Sequence, residues 1–470
     1  MSNTKASFVT GSTLRHVVVM TLTNTIGIMA LFLVDLIDLY FLNMLGEQAM
    51  AAAVGFSAQV LFYVTGISIG LLIASGILVS QRIGAKQVNQ AKNIAASALV
   101  IAFTLVASIT LILFWQLEPI LQMLGAKGRT LELSITYLTI LLPSSVIMVL
   151  GMVASSVLRA IGDAKRSMNA TLFAALVNLV LDPLLIFSLD MGIAGAAIAS
   201  FISRITLMLY AMYCLVKIHK MFVLPTVKGV IADAPKVAKL AVPAVLTNLA
   251  TPIGSTFVMT AIAKYGDSAV AAFATIGRII PVAFAILFAL SGAISPIIGQ
   301  NFGAGEYTRI KQIYHDAIKF VIAVVVLVTL VIFLTKSYLV GAFNLSAEAS
   351  DLVMLFCSGL TLFFIADGVL FSTNSAFNSL GYPLYSTFFN YAKFFLGVIP
   401  TVYFLAGIYG AKGVIIGQAV GPILIAFVSV AVCSKLINDI SNNGSPPTKP
   451  SIFRRFTRPM SSSSSSRTQI

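Results

Sequence analysis

Ser80-Gln81-Arg82-Ile83-Gly84-Ala85 closes one long apolar segment, and Gly299-Gln300-Asn301-Phe302-Gly303-Ala304 closes another, 219 positions later. The same offset carries Arg159-Ala160-Ile161-Gly162 onto Asn378-Ser379-Leu380-Gly381, and Ala52-Ala53 onto Ala271-Ala272. One offset kept from Ala52 to Gly162 argues for two structurally equivalent halves. In a membrane-embedded chain, such halves are the mark of a transporter that rocks about a central site.

Composition places the chain in the membrane. It is 58% hydrophobic and only 10% charged, too little charge to cover a soluble surface of this size. Stretches of roughly 20 apolar residues, the length that crosses a bilayer as helix, recur along it. Twelve candidate spans fall at 16–41, 51–78, 94–115, 133–157, 168–188, 194–216, 240–263, 270–298, 318–335, 352–376, 386–408 and 413–434. With the N-terminus inside, the loops and tails bearing Lys5/Arg15, Arg82/Lys86/Lys92, Arg159/Lys165/Arg166, Lys217/Lys220/Lys228/Lys236/Lys239 and Arg309/Lys311/Lys319 all face the cytoplasm, as does the basic tail. The opposite loops hold Lys127, Arg129, Lys264, Lys336 and Lys412. The inside loop 377–385 has neither Lys nor Arg, yet the bulk asymmetry satisfies the positive-inside rule with both termini cytoplasmic. The net charge of +14 is mostly this topogenic charge, so no nucleic-acid partner is expected.

The expected fold is an all-α polytopic membrane protein, with twelve transmembrane helices in two six-helix lobes. Six spans return the chain to its starting side, so the lobes are related by a pseudo-two-fold axis along the membrane normal, with a substrate cleft between them. The divisions are an N-terminal lobe over 1–220, a cytoplasmic linker over 221–239, a C-terminal lobe over 240–435, and a basic, Ser-rich tail over 436–470 that cannot bury a core. The tail's Arg454, Arg455 and Arg458 either touch anionic lipid or serve only to fix topology. Cys214, Cys357 and Cys433 read as small buried hydrophobes rather than disulfide or metal partners. The expected assembly is a monomer in a bacterial inner membrane, without a cofactor or a resident metal.

A carboxylate at mid-bilayer costs several kcal/mol and is a functional hypothesis by default. Asn178 and Asp182 share a helix face at i,i+4 spacing, and Pro183 can free the carbonyl of Leu179, which makes a plausible seat for a proton or Na⁺. Asp35 and Asp38, at i,i+3, also share a face. Two close carboxylates in low dielectric cannot both ionise cheaply, although Asp38 alternatively reaches the outer interface and is simply hydrated. Asp367 lies among Phe363, Phe364 and Ile365, with Asn374 beyond it; it is either a buried polar partner or a drug-facing carboxylate. Asp367, Asn374 and Arg278 are candidates for the substrate pocket. Arg278 and Lys393 either snorkel or pair with an acid that sequence cannot name.

The chain carries no phosphate-cradling loop, nucleophile–base pair or metal-ligand cluster, so the expected energy source is an ion gradient or downhill movement, and an enzyme is not expected. Val34-Asp35 through Leu45-Gly46-Glu47, the Gln81–Ala85 turn, Leu158 to Asp163, Asn178 to Pro183, and Pro296 to Gly305 together resemble the multidrug and toxic compound extrusion (MATE) family. The resemblance implies a twelve-helix antiporter that exports cationic or amphipathic small molecules, driven by H⁺ or Na⁺. It also implies an N-lobe cation site on Asn178, Asp182 and a first-helix Asp, with Tyr137 beside it as a further candidate for the substrate pocket. The Val-Asp context favours Asp35 for that Asp, and spacing to Leu45-Gly46 favours Asp38; Na⁺ would be held by Asp35, Asn178 and Asp182. The first span lacks the Pro that bends it in some members. The seventh lacks the Glu of the Na⁺-coupled branch, which favours the DinF-like branch and H⁺. The alternatives are a lipid-linked oligosaccharide flippase, an exporter of an endogenous metabolite, and an integral-membrane transferase.

Overall fold

The computed structural model describes residues 6–444 apart from 46 and 344; the side chains of Asp35, Leu39, Asn43, Gln48 and Ala51 also lie outside the described residues, as does the Ser-rich tail beyond 444. Away from water, a long apolar segment satisfies its backbone N–H and C=O groups by coiling into a helix. The N-terminal half forms α1 (Thr13–Met44), α2 (Gln48–Gly84), α3 (Val88–Trp115), α4 (Leu117–Met123), α5 (Gly128–Leu141), α6 (Ser144–Ala160), α7 (Ala164–Pro183) and α8 (Gly192–Tyr213). The C-terminal half forms α9 (Val227–Ala263), α10 (Asp267–Ala283), α11 (Ala285–Ala304), α12 (Tyr307–Gly341), α13 (Ala347–Cys357), α14 (Phe364–Ser379), α15 (Pro383–Ala392), α16 (Ile399–Tyr409), α17 (Ala411–Val420) and α18 (Pro422–Asn443).

Among the described residues, eleven helical segments are long and apolar enough to cross a bilayer, and α5 with α6, bent by 47° at their junction, makes a twelfth. The bend falls at Leu142-Pro143. There Arg204 reaches across from α8, its Nη1 donating to the Leu141 carbonyl at 3.2 Å and to Ser144 Oγ at 2.8 Å. A cation inside the bilayer thus joins Ser144 Oγ in satisfying a backbone acceptor that the broken helix leaves without its usual donor. Pro183 has a related effect, with α7 loosening directly into a π-helical turn at Leu184–Ser188. The segment 221–239, expected to link the lobes, is helical from Val227 onward: Thr226 Oγ1 caps α9 by accepting from Gly229 N at 3.2 Å.

Two lobes result, α1–α8 and α9–α18, meeting where α1 and α2 pack along α11 and where α2 packs along α9. A large apolar core fills each lobe. The loops carrying Arg82, Arg159 and Arg309 share one end of the bundle, hereafter the basic end. Hydrogen bonds between the lobes gather there: Gln81 with Ser379, Gln300 with Ala160, and Thr13 with Asp316. Higher up, the contacts between lobes are apolar, such as Phe32 against Phe288 with ring centroids 6.3 Å apart.

Candidate functional site

Helices α1 and α7 both start at the basic end and pack side by side. Asp182 lies about 27 Å along α7 at 1.5 Å per residue, so the acidic group sits in the half of the bundle away from the basic end. Asp182 is fully buried and Asn178, one turn earlier, is 4% exposed. The Asp182 and half-buried Asp38 carboxyls lie within hydrogen-bonding reach of each other. No backbone or side-chain N–H or hydroxyl reaches either Asp182 oxygen, and Asn178 Nδ2 meets no acceptor. Two carboxyl groups can bond each other only while one of them holds a proton. The arrangement is therefore a buried acid pair with spare acceptors and a spare amide, suited to taking up a proton or a small cation.

Around this group, Tyr137 of α5 packs in an apolar cluster with Leu42, one turn beyond Asp38, and Ile186, one turn beyond Asp182. Phe41 adds an edge-to-face contact with Phe187, ring centroids 5.8 Å apart. The structure thus brings Asp38, Asn178, Asp182 and Tyr137 into one neighbourhood. Asp35 lies one turn before Asp38 on α1, with its side chain outside the described residues.

The equivalent place in the C-terminal lobe is packed shut. Gly254 stands where Asp35 does in the first half, and a Cβ there would lie 1.9 Å from the Phe394 ring. Gly397 replaces Asn178 and presses against the Gly421 carbonyl. Thr401 replaces Asp182, and its hydroxyl is used locally, donating to the Gly397 and Gly417 carbonyls at 2.8 and 2.9 Å. Aromatic volume, glycine contacts and a satisfied hydroxyl occupy what is an acidic pocket in the first half.

The remaining pocket candidates fall elsewhere. Asp367 of α14 is paired with Lys393, whose Nζ sits 2.6 Å from Oδ1 and also lies over the Phe394 ring. Sequence alone left Lys393 without a partner because Asp367 is on another span. Asn374, two turns along α14 from Asp367, is 7% exposed; its carbonyl accepts from Ser386 at 3.1 Å, while its Oδ1 meets no donor. Arg278 is exposed on α10 and joins none of these groups.

At the basic end, Asp163 caps α7 by accepting from Arg166 N at 3.1 Å, pairs with the Arg166 guanidinium, and lies 2.7 Å from His219 Nε2. Burial pushes its carboxyl up, but the hydrogen bonds from His219 and Arg166 outweigh this and hold it at about 2. Sequence reasoning assigned these residues no chemistry. The signal was local: an Asp directly before a helix that starts with basic residues.

With the acidic group and its filled counterpart located, comparison with known proteins identifies the lineage. The MatE profile matches residues 25–184 and 243–404, a stretch in each lobe and well over half of the chain. The chain belongs to the MATE family of membrane transporters. It is 28% identical over 427 residues to the FAD transporter of Shewanella oneidensis, covering 90% of this chain and 94% of that one. It is 22% identical to the multidrug export protein MepA of Staphylococcus saprophyticus, covering 88% and 90%. Among solved structures, the Vibrio cholerae MATE transporter VcmN in the bent form is similar with a TM-score of 0.86 at 26% identity, covering 92% of this chain and 98% of that one. The twelve spans in two lobes are thus those of a MATE transporter.

Proposed function

We propose that the protein is a proton-driven antiporter that exports amphipathic or cationic small molecules from the cytoplasm, and that the basic end is cytoplasmic with both termini inside. The reading rests on the buried Asp38–Asp182 acid pair with its unpartnered Asn178 amide. A proton arriving from the outer side neutralises the pair, removes its attraction for a cationic substrate, and favours release. Loss of that proton on the cytoplasmic side restores a charged carboxyl and reloads the transporter. The absence of a Glu on α9 and the packed C-lobe counterpart support a reading in which coupling belongs to the N-terminal lobe and uses H⁺ rather than Na⁺. The DinF-like branch fits the same features.

The experiment is transport by protein reconstituted in liposomes, driven separately by a pH gradient and by a Na⁺ gradient. A pH gradient should suffice, and Asp182→Asn should bind substrate yet lose gradient-driven efflux. Full efflux by Asp182→Asn, or dependence on Na⁺ alone, would sink the reading.

A second substrate reading draws support from the long match to a relative described as an FAD transporter. A metabolite bearing both flat rings and phosphate would use the Phe-rich surfaces together with cations such as Arg278. Competition between a fluorescent cationic dye and flavin nucleotides in the same liposomes separates the two substrate classes.

A further inference from the structure

The two copies of the duplicated turn meet each other across the lobe boundary. Gln81 Nε2 donates to the Ser379 carbonyl at 2.8 Å, and Gln300 Nε2 donates to the Ala160 carbonyl at 2.7 Å. The offset that equates Gln81 with Gln300 equates Ala160 with Ser379 as well, so each bond is the image of the other with the lobes exchanged. Both acceptors are the last residues of their helices, α6 and α14, where carbonyls lack an intrahelical donor. The backbones come close enough for these bonds because of two equivalent glycines. A Cβ on Gly84 would lie 1.9 Å from the Gln300 carbonyl oxygen, and one on Gly303 would lie 1.9 Å from that of Gln81.

The amide of Gln300 is also oriented. Its Oε1 accepts from Phe8 N at 3.0 Å, which leaves Nε2 for Ala160. Phe8 is itself held, its carbonyl accepting from Asn301 Nδ2 at 3.1 Å and Arg309 Nη2 at 3.3 Å, and its ring buried in the C-lobe core. The segment before α1 therefore sets the donor that spans the lobes.

We propose that Gln81 and Gln300 are positioning residues of the transport cycle: a reciprocal pair that closes the basic end and sets the equilibrium between the state closed there and the state open there. Helix-end carbonyls exposed by separation are taken over by water, so each bond contributes modestly and the latch opens within a catalytic cycle. The proposal rests on the transporter reading alone and holds whichever cation drives export, so its failure would leave the Asp182 experiment untouched.

The test uses full-length protein in inside-out vesicles, with Cys214, Cys357 and Cys433 replaced by Ala and Ser80→Cys as reporter. Ser80 is fully buried and faces Gly299 across the boundary, so a membrane-impermeant maleimide reaches it only when the basic end opens. Gln81→Ala and Gln300→Ala should each raise the labelling rate about fivefold, which is about 1 kcal/mol at 1.4 kcal/mol per tenfold. The double variant should raise it about 25-fold by the same conversion. Unchanged labelling in both single variants overturns the proposal. So does a rise that follows only from a lowered unfolding midpoint, which would mark a structural role.

A second arm does not depend on those variants. A Cβ at 299 would lie 3.1 Å from that of residue 80, a few tenths of an ångström under the roughly 3.5–4.5 Å of a disulfide, so a slight relaxation apart allows the bond. Oxidised Ser80→Cys/Gly299→Cys protein should bind substrate from the outer side but not transport it, and reduction should restore transport. Transport at the full rate with the crosslink formed overturns the proposal.

Discussion

Lys393 Nζ lies 2.6 Å from Asp367 Oδ1 inside the C-terminal lobe, with both side chains largely buried. Each charge is tolerable there because of the other. Removing one partner strands an ion, whereas replacing both by apolar groups is often neutral. Asp367→Leu or Lys393→Met alone should therefore destabilise the protein by about 3 kcal/mol, while Asp367→Leu/Lys393→Met should unfold near the wild-type midpoint. Thermal unfolding of all three in one detergent checks this. Additive losses in the double variant would show that the pair is not the relevant unit.

Gly254 and Phe394 make a second sharp case. With a Cβ at 254 lying 1.9 Å from the ring, even alanine must push Phe394 out of its place. Overpacking of this kind costs about 1–3 kcal/mol. Gly254→Ala should lower the unfolding midpoint, and Gly254→Ala/Phe394→Leu should recover most of the loss. Failure of the smaller residue to rescue would mean that the backbone itself, rather than the ring, sets the fit.

The contrast between these sites and the acidic group shows what a sequence exposes. Twelve spans were legible because bilayer crossing demands long apolar runs, and Asn178 with Asp182 stood out because helical spacing alone places them on one face. Gln81 and Gln300 were legible as equivalents, through their shared offset, but not as partners of Ser379 and Ala160. Periodicity reports the face of a helix and says nothing of which neighbour that face meets. The Asp367–Lys393 pair was hidden for the same reason, since its members lie on different spans. The break at Pro143 was less legible still, because an apolar run reads the same whether it is straight or bent.

Asp163 supplies a pH-dependent prediction at the basic end. Its carboxyl is held at about 2, against an unperturbed 3.8. A depressed carboxyl stabilises the fold at pH values above its unfolded-state value and loses that contribution as pH falls through the folded one. Asp163→Asn should cost roughly 2 kcal/mol at neutral pH, and the gap to wild type should shrink below pH 4 and close near pH 2. Unfolding midpoints of the two proteins from pH 7 downward read this directly. A gap that stays constant across that range would assign the loss to packing or capping rather than to charge.

At Asp182 the proposed proton site and stability stand in opposition. Its oxygens are buried with no donor beyond the neighbouring acid, so the folded state carries an unsatisfied carboxyl that a purely structural interior would not keep. Replacing it by an apolar residue of similar size removes that cost, as active-site substitutions often do. Asp182→Leu should therefore raise the unfolding midpoint by a few degrees, on the order of 1 kcal/mol, while abolishing gradient-driven transport. Thr401→Val, at the equivalent place in the other lobe, should do the reverse. It deprives the Gly397 and Gly417 carbonyls of a donor and lowers the midpoint while leaving coupling intact. Unfolding curves and liposome transport for both variants decide the matter. A less stable Asp182→Leu protein would show that the acid pair is a structural bond, and the proton site would then have to be sought on other groups.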